Sequence, residues 1–309
     1  MLALASLPGT ARPQEAPSRP PPAYSVALAY HEAGGHLLLF GGYLAGAYHG
    51  ETWTWDDRGW SVRDVMGPSA RNAPAMAYDA ARERVVLFGG DTRATGPFGD
   101  TWLWDGESWT RASASGPPAR TVHALVYDAG RERTVLFGGV SGDRMLGDTW
   151  EWDGEGWTLV SEQGPSARAL HGLAYDGARG RIVLFGGTSE LSATASPHGD
   201  TWEWDGDIWT RVAVEGPSPR DHLAMGYDHA REVVVLHGGG QGDETQETWT
   251  WDGARWTLAS TDGPSRRFAR LAWDPHAERL LLYGGFDQGP SNELWSWNGK
   301  RWERVEPGR

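Results

Sequence analysis

The chain has 309 residues, 39% of them hydrophobic and 22% charged, a balance that supports a large folded core and excludes a disordered chain. Lys and Arg number 28 against 41 Asp and Glu, and the net charge of −13 disfavours phosphate-backbone partners, so we expect no nucleic-acid binding. The absence of cysteine excludes disulfides, zinc thiolate sites and cysteine nucleophiles.

The first 18 residues differ from the rest. Prolines crowd the stretch from Pro8 to Pro22, which predicts an extended linker with polyproline character. The apolar start MLALASLPGTA has no basic residue before it and is too short to span a membrane. A secretory signal remnant, an alternative start site and an extra edge strand remain open. We expect residues 1–18 to be a flexible Pro-rich tail, and export to the periplasm or the cell exterior is one option for localisation.

The remainder, residues 19–309, repeats one pattern six times. A Gly-Gly pair after an apolar run recurs every 46 to 52 residues, and an acidic residue with a Trp-x-Trp motif follows each pair. A third Trp comes shortly after, so three tryptophans per repeat account for 18 of the 19. The last one, Trp273, stands where the other repeats have Tyr. Tryptophan is therefore a repeat marker.

Each repeat predicts four short strands. The run from Arg168 to Tyr175 is a first strand, and RIVLFGG from Arg181 is a continuous apolar run, as expected of a strand buried on both faces. TWEWD alternates with period two, and the fourth run opens with the third Trp after an Asp-Gly turn. Four strands per repeat with periodic Gly and aromatic residues predict an all-β, six-bladed β-propeller with four antiparallel strands per blade.

These residues resemble the kelch repeat family. The resemblance rests on the Arg at the start of strand one, the VLFGG that ends strand two, the aromatic residue of strand three and the Trp that opens strand four. It covers roughly residues 19–306 and implies a propeller of the galactose oxidase type. The oxidase chemistry itself needs a Tyr–Cys crosslink, which a chain without cysteine cannot form. Kelch propellers serve many functions, so the resemblance predicts the fold rather than the activity.

The loops predict where a partner binds. Turns between strands one and two and between strands three and four are short and uniform, whereas the loops after Gly-Gly and the GPSAR connections between blades share the other face. We call that face the variable face. Loops on a rigid scaffold carry function, so we expect a site there, around the mouth of the central channel. The candidate rim residues are Tyr43, Tyr48, His49, Arg93, Phe98, Arg144, His198 and Phe286.

A second set of candidates lies at the start of each repeat. One Arg per repeat, beginning with Arg19, should form a ring near the channel mouth, and the later members are Arg71, Arg120, Arg168, Arg220 and Arg267. Close behind them stand His123, His171, His222 and Arg270. Such a ring would attract a carboxylate, a sulfate or an acidic peptide, because Arg binds these groups bidentately. Alternatively, each Arg pairs with an acid of its own blade, and the variable His and Arg270 positions provide specificity.

Metals and cofactors are not predicted. The three channel histidines sit at shifted positions in their repeats and do not share a ligand geometry. The sequence signatures of zinc proteases, serine hydrolases, P-loops and dinucleotide binders are missing in any usable context. The acidic residue before each Trp-x-Trp is expected to accept backbone N–H groups at the end of its loop.

We therefore expect a monomeric, non-catalytic binding or scaffold module that mediates protein or peptide interaction through the variable face and the channel mouth. The resemblance also extends to kelch propellers that isomerise sialic acid or bind glycans, which makes an enzyme or lectin for an anionic sugar the alternative. There, one of the arginines would hold the carboxylate and one of the histidines would act as acid or base near neutral pH. A His and a carboxylate within hydrogen-bond reach would favour the enzyme, and exposed aromatics on a broad rim would favour the binding module.

Overall fold

The structure is a computed structural model that describes residues 18–112, 115–192, 194–212, 215–240 and 243–306. Nearly all of the predicted tail, residues 1–17, lies outside these ranges. The division into a tail and a propeller domain therefore stays a prediction.

Six four-stranded antiparallel sheets make up the molecule, and each pairs its strands in chain order. Blade 1 contains β1 (Ala27–His31), β2 (His36–Phe40), a hairpin of β3 (Tyr43–Leu44) and β4 (Ala47–Tyr48), β5 (Thr52–Asp56) and β6 (Gly59–Arg63). Blade 2 contains β7 (Ala75–Asp79), β8 (Arg84–Phe88), a hairpin of β9 (Asp91–Thr92) and β10 (Gly96–Pro97), β11 (Thr101–Trp104) and β12 (Trp109–Arg111). Blade 3 contains β13 (Ala124–Asp128), β14 (Arg133–Phe137), a hairpin of β15 (Val140–Ser141) and β16 (Arg144–Met145), β17 (Thr149–Trp152) and β18 (Trp157–Ser161).

The other three blades follow the same plan. Blade 4 contains β19 (Gly172–Asp176), β20 (Arg181–Phe185), β21 (Thr201–Trp204) and β22 (Trp209–Val212). Blade 5 contains β23 (Ala224–Asp228), β24 (Val233–His237), a 3-10 helix (Asp243–Gln246), β25 (Thr248–Trp251) and β26 (Trp256–Ser260). Blade 6 contains β27 (Arg270–Asp274), β28 (Arg279–Tyr283), β29 (Leu294–Trp297) and β30 (Trp302–Arg304).

The first strands surround a central axis. Each contacts the first strand of both neighbouring blades, and β27 contacts β1, which closes the ring. The all-β, six-bladed propeller predicted from the repeats is thereby confirmed. Across the described ranges, no helix has the length and apolar character needed to cross a membrane.

The core lies between the blades. Second strands are sealed on both faces, as in β8, where Val85 to Phe88 have no exposed surface. The second Trp of strand three is equally buried, for example Trp104 at 0% exposed, and it packs on the Trp that opens strand four, with ring centroids 5.4 Å apart. Truncating such a buried Trp costs about 3–5 kcal/mol. The blades are stable without helices because these aromatic side chains pack against the neighbouring blade.

One hydrogen bond recurs between blades. The Trp that opens strand four donates its indole N–H to the Thr that opens strand three of the preceding blade, at 2.8–3.0 Å. We call this bond the Trp–Thr latch. Its five pairs are Trp109–Thr52, Trp157–Thr101, Trp209–Thr149, Trp256–Thr201 and Trp302–Thr248.

The junction between blades 6 and 1 lacks this latch. Leu294 stands in the Thr position, and Trp60 packs edge-on against Tyr283 at 5.0 Å. A groove of about 450 Å³ opens beside Trp60 and also touches Arg19. Polar contacts supplement this packing: Arg279 pairs with Asp57 at 3.2 Å, and Asn292 donates a hydrogen bond to the Pro20 carbonyl at 2.9 Å.

A tyrosine provides a second inter-blade bond on the face opposite the variable face. The Tyr hydroxyl near the end of strand one accepts a backbone N–H from the turn of the preceding blade at 3.0–3.2 Å. The pairs are Tyr78–Ala33, Tyr127–Ala81, Tyr175–Gly130 and Tyr227–Ala178. In blade 6 Trp273 replaces the Tyr and packs on His229 with ring centroids 5.3 Å apart.

The latch predicts a specific loss of stability. Thr101→Val removes the acceptor for Trp157 and leaves an indole N–H without a partner, so we expect the free energy of unfolding to fall by about 1–3 kcal/mol. Thr110→Val, on the exposed strand β12 of the same blade, is the matched control and should change it by less than about 0.5 kcal/mol. Chemical denaturation measures both, and equal stability of the two variants would contradict the role of the latch.

Candidate functional site

The central channel has two chambers. The upper chamber, at the variable face, encloses about 100 Å³, and the lower chamber, at the opposite face, about 240 Å³. The same six apolar side chains line both and form a collar between them: Leu28, Met76, Leu125, Leu173, Met225 and Leu271. The two ends of the channel are therefore chemically separate sites.

A ring of strained residues precedes the first strands at the variable face. One non-glycine residue per blade, two positions before strand one, has a positive φ between 47° and 63°: Ser25, Ala73, Val122, Leu170, His222 and Phe268. The last four of them line the upper chamber. This conformation is costly for residues with a Cβ, and it persists only where the surroundings enforce it. Here it lets the backbone bond from blade to blade, as in His222 N–H to Leu170 O at 3.0 Å and Phe268 N–H to His222 O at 2.9 Å.

Arg270 is the charged residue of the upper chamber. The first position of strand one is Ala or Gly in the other five blades, so Arg270 is the long side chain that reaches into the channel. The protein acceptor it reaches among the described residues is the Ala269 carbonyl, at 3.1 Å, and no carboxylate of these residues lines the chamber. Burial lowers its pKa to about 10, although part of its surface faces the cavity. The chamber thus holds a guanidinium whose charge the lining does not balance.

His123 and His171 stand on blades 3 and 4. Each packs edge-on against a Phe of the second strand in the preceding blade, at 5.6 and 5.4 Å, and their ring nitrogens have no hydrogen-bond partner among the described residues. Burial lowers the pKa of His171 to about 3 and that of His123 well below its usual value, with the charges of Arg120, His171 and Arg270 adding to the effect at His123. Both imidazoles are neutral at neutral pH, so neither serves there as the acid expected of a sugar enzyme.

His222 differs from these two. Its Nδ1 lies 2.6 Å from Oδ1 of Asp221, and its ring meets Phe268 with centroids 3.9 Å apart. The side chain remains 21% exposed at the chamber mouth. A carboxylate bonded to one imidazole nitrogen fixes the orientation of the ring. His222 is therefore the histidine that Asp221 holds in place at the chamber mouth.

An aromatic cluster lies above this side of the mouth. Tyr24 contacts Tyr43 at 5.7 Å, Phe268 at 5.6 Å and Phe286 at 6.0 Å, and Tyr43 faces Tyr48 at 5.0 Å. These five rings, the aromatic cluster from here on, are all partly exposed. Tyr43, Tyr48 and Phe286 were predicted rim residues. Tyr24 and Phe268 were missed, because neither position is aromatic throughout the repeats: Asn72 and Thr121 are equivalents of Tyr24, and Ala73 and Val122 are equivalents of Phe268.

Four of the predicted ring arginines are buried and form ion pairs within their own blades. Each has at most 1% exposed side-chain surface and pairs with the acid before strand three at 2.6–2.7 Å. The pairs are Arg71–Asp100, Arg120–Asp148, Arg168–Asp200 and Arg220–Glu247. The blade-acid alternative thus describes these four, and they do not line the upper chamber. The acid also accepts an indole N–H two residues on, rather than mainly the backbone N–H groups expected from the sequence.

The first and last blades, 1 and 6, depart from the predicted arginine ring. In blade 6 Arg266, rather than Arg267, pairs with the acid, Glu293, at 2.5 Å, because the connection before it is one residue shorter. Arg267 lies over the Phe286 ring at 5.4 Å, beside the aromatic cluster. In blade 1 Ala23 takes the position, four residues before strand one, that Arg71 has in blade 2. Arg19 lies instead at the groove between blades 1 and 6.

The remaining rim residues are spread along the variable face. Arg71 lies 4.1 Å over the Phe98 ring, so Phe98 covers a structural ion pair. His198 Nε2 is 2.8 Å from Ser189 Oγ, and His49 lies 3.6 Å from Glu51. Arg93 and Arg144 lie at exposed hairpins. These side chains are not gathered around the chamber.

Within the described ranges, no three or more His, Asp or Glu side chains are grouped so that they could hold a metal ion. The ring nitrogens of His123 and His171 have no hydrogen-bond partner among the described residues, but their neighbour Arg270 is a cation, and its charge disfavours a metal ion beside it. The chamber instead fits a small anion.

Two arginines should respond oppositely to truncation. Arg168→Ala leaves Asp200, whose pKa Arg168 holds at about 2 despite burial, without its partner, so we expect a loss of about 3–5 kcal/mol. Arg270→Ala removes an unbalanced charge and gives blade 6 the Ala of other blades, so stability should rise by about 1 kcal/mol in buffer of low anion content. Chemical denaturation measures both, and a comparable loss in the Arg270 variant would contradict this assignment.

The buried histidines predict acid sensitivity. The pKa of His171 is about 3 in the folded chain and about 6.5 when unfolded, so only the unfolded state gains a proton as pH falls below 6.5. The free energy of unfolding should therefore drop by about 2 kcal/mol between pH 7 and 5 for this residue. His171→Leu, which copies Leu223 of blade 5, should remove that share, whereas the exposed control His276→Leu should not. An unchanged pH profile in the His171→Leu variant would contradict the assignment.

Known proteins were compared with the chain by sequence and by structure. The family model described as "KLHDC2/KLHL20/DRC7 Kelch-repeats domain" matches residues 33–190. No curated protein matches the chain. Among the solved structures, one described as "Structure of YjhT" superimposes with a TM-score of 0.72 at 14% identity and covers 94% of this chain and 99% of its own.

The structural likeness, at this low identity, establishes the propeller fold alone. The family match extends over half of the chain, and the repeats it detects are those whose strands form the blades. A kelch propeller supports a binding or scaffold role in general. The chain belongs to the kelch-repeat family.

Proposed function

We propose that the protein binds a partner peptide at the variable face and holds one of its carboxylates in the upper chamber. The observation that carries this proposal is Arg270, a buried guanidinium facing a cavity to which the described residues contribute no carboxylate. Burying a charge without a partner is costly unless a ligand supplies the opposite charge. A carboxylate fits the fork of N–H donors that Arg270 presents.

The size of the chamber favours one group over a whole ligand. Its volume, about 100 Å³, is below the roughly 300–1,000 Å³ of pockets that enclose small molecules. A side-chain carboxylate or a chain terminus can enter, while the rest of the partner must remain on the rim. A peptide meets both requirements.

The surroundings of the mouth fit such a partner. The aromatic cluster offers partly exposed rings beside the entrance, where apolar residues flanking the acidic group can pack. The His222 ring, held in place by Asp221, adds a polar group to the lining of the chamber. The loops are fixed by blade-to-blade hydrogen bonds, so little entropy is lost on binding.

Displayed random heptapeptides, selected on the immobilised full chain, test the proposal. We expect selection of sequences with Asp or Glu next to an apolar residue. In fluorescence anisotropy, changing that acid to its amide should weaken binding about tenfold or more, and Arg270→Ala should cause a similar loss. The two losses should not add, because they remove the same pair.

Arg111→Ala, on the exposed outer strand β12, is the matched control for general charge and should leave the affinity within about twofold. Peptides that bind Arg270→Ala and the parent equally would overturn the proposal. So would a selection with no preference for acidic residues.

A second candidate function is the isomerisation of an anionic sugar, and the Asp221–His222 pair at 2.6 Å favours it. His222 would exchange a proton with a sugar hydroxyl while Arg270 holds the carboxylate and the ring rests on the aromatic cluster. Interconversion of the anomers of sialic and glucuronic acid, followed by NMR, tests it. Acceleration by the parent that is lost in His222→Gln would support this function, and no acceleration would exclude it for these sugars.

A further inference from the structure

The lower chamber has an aromatic wall. Each blade contributes one ring near the end of strand one, and together they surround a cavity of about 240 Å³: Tyr30, Tyr78, Tyr127, Tyr175, Tyr227 and Trp273. Above them lies the apolar collar, which separates this cavity from Arg270. The lower chamber is thus a distinct site at the opposite face of the propeller.

The hydroxyl groups of this wall are already engaged. Tyr78, Tyr127, Tyr175 and Tyr227 accept backbone N–H groups from neighbouring turns, and Tyr30 bonds to Asp274 of blade 6. These bonds fix the rings and occupy their hydroxyl groups. What remains for a ligand is aromatic carbon, whose faces carry partial negative charge.

The charge of the lower chamber is opposite to that of the upper one. Of the side chains that line it, Glu32 carries a full charge, and burial keeps the other candidate, His229, neutral by lowering its pKa. The Glu32 carboxylate is exposed at the mouth. Burial raises its pKa, and the nearby His276, which lowers it, is its charged neighbour among the described residues. No Lys or Arg from the described part of the chain lines the cavity.

Aromatic rings combined with a carboxylate at the mouth favour a cation. An alkylammonium is attracted by several rings at once and needs few hydrogen bonds, so the lack of free hydroxyls in the described wall is no disadvantage. An anion would meet Glu32, and a neutral apolar group would leave that carboxylate unused. We propose that the lower chamber binds an alkylammonium group, carried by a small molecule or by a lysine side chain of a partner.

Choline and its neutral isostere 3,3-dimethylbutanol, titrated into the full chain by calorimetry, test this site. The two have the same shape and differ in charge. We expect choline to bind about tenfold more tightly than the alcohol, and Glu32→Gln to reduce that difference several-fold. Equal binding of the two probes, or no binding of choline, would overturn the proposal.

Two variants of Tyr175 distinguish the contribution of its ring to choline binding from that of its inter-blade hydrogen bond. Tyr175→Phe removes the bond to Gly130 and keeps the ring, so choline should bind nearly as in the parent, whereas Tyr175→Leu should weaken it about tenfold. Thermal unfolding of both variants verifies that the propeller remains folded. Weaker binding in both variants alike would contradict a site made by the ring face.

Arg270→Ala distinguishes this site from the proposed peptide site. Choline affinity should not change in that variant, because the collar separates the chambers, so either proposal can fail without the other. A peptide with trimethylated lysine identifies the source of the ammonium group. Tighter binding of this peptide than of choline supports a protein partner, and the reverse supports a small molecule.

Discussion

The Trp–Thr latch is the interaction on which the rest of the structure depends. A four-stranded sheet cannot bury both of its faces alone, so each blade is stable only against its neighbours. The buried Trp supplies apolar area, and the Thr of the preceding blade satisfies the one polar group that comes with it. The same residues therefore provide both cohesion and register between blades. The junction of blades 6 and 1 has Leu294 in place of the Thr, so its ring closure uses other contacts, among them the Arg279–Asp57 ion pair.

A framework that is this uniform makes its exceptions informative. At the start of strand one, five blades have Ala or Gly and the sixth has Arg270. At the end of strand one, five blades have Tyr and the sixth has Trp273. The buried arginines illustrate the contrast, because four of them repeat with a paired acid and serve the blade. A residue that repeats with its partner stabilises the scaffold, whereas an unpaired exception on the axis is a candidate for recognition.

The repeats predicted the fold because they are local signals. Gly-Gly, Trp-x-Trp and the Asp-Gly turn are each a signal of a few residues, and the apolar patterns between them predict the strands. The latch was not predicted, since Trp109 and Thr52 lie in different repeats and nothing in one repeat shows which neighbour its Trp touches. The repeat pattern predicts Arg267 because it stands four residues after the Gly of its connection, as in the other repeats. The shorter connection before strand one instead places Arg266 at the pairing position. Whether an arginine has an acidic partner depends on contacts between residues that are distant in sequence. The sequence could therefore name the candidate arginines but could not show which of them are paired.

The channel joins two environments of opposite charge along one axis. Arg270 makes the upper chamber cationic, Glu32 and the aromatic wall make the lower chamber attractive to cations, and the collar of Leu and Met keeps them apart. The collar holds Arg270 and Glu32 in separate chambers, so the two side chains do not form an ion pair with each other. Each charge therefore stays available to a ligand at its own face. A propeller of this kind can hold one partner at each end, and the scaffold role of the kelch fold then follows from the chemistry of its axis.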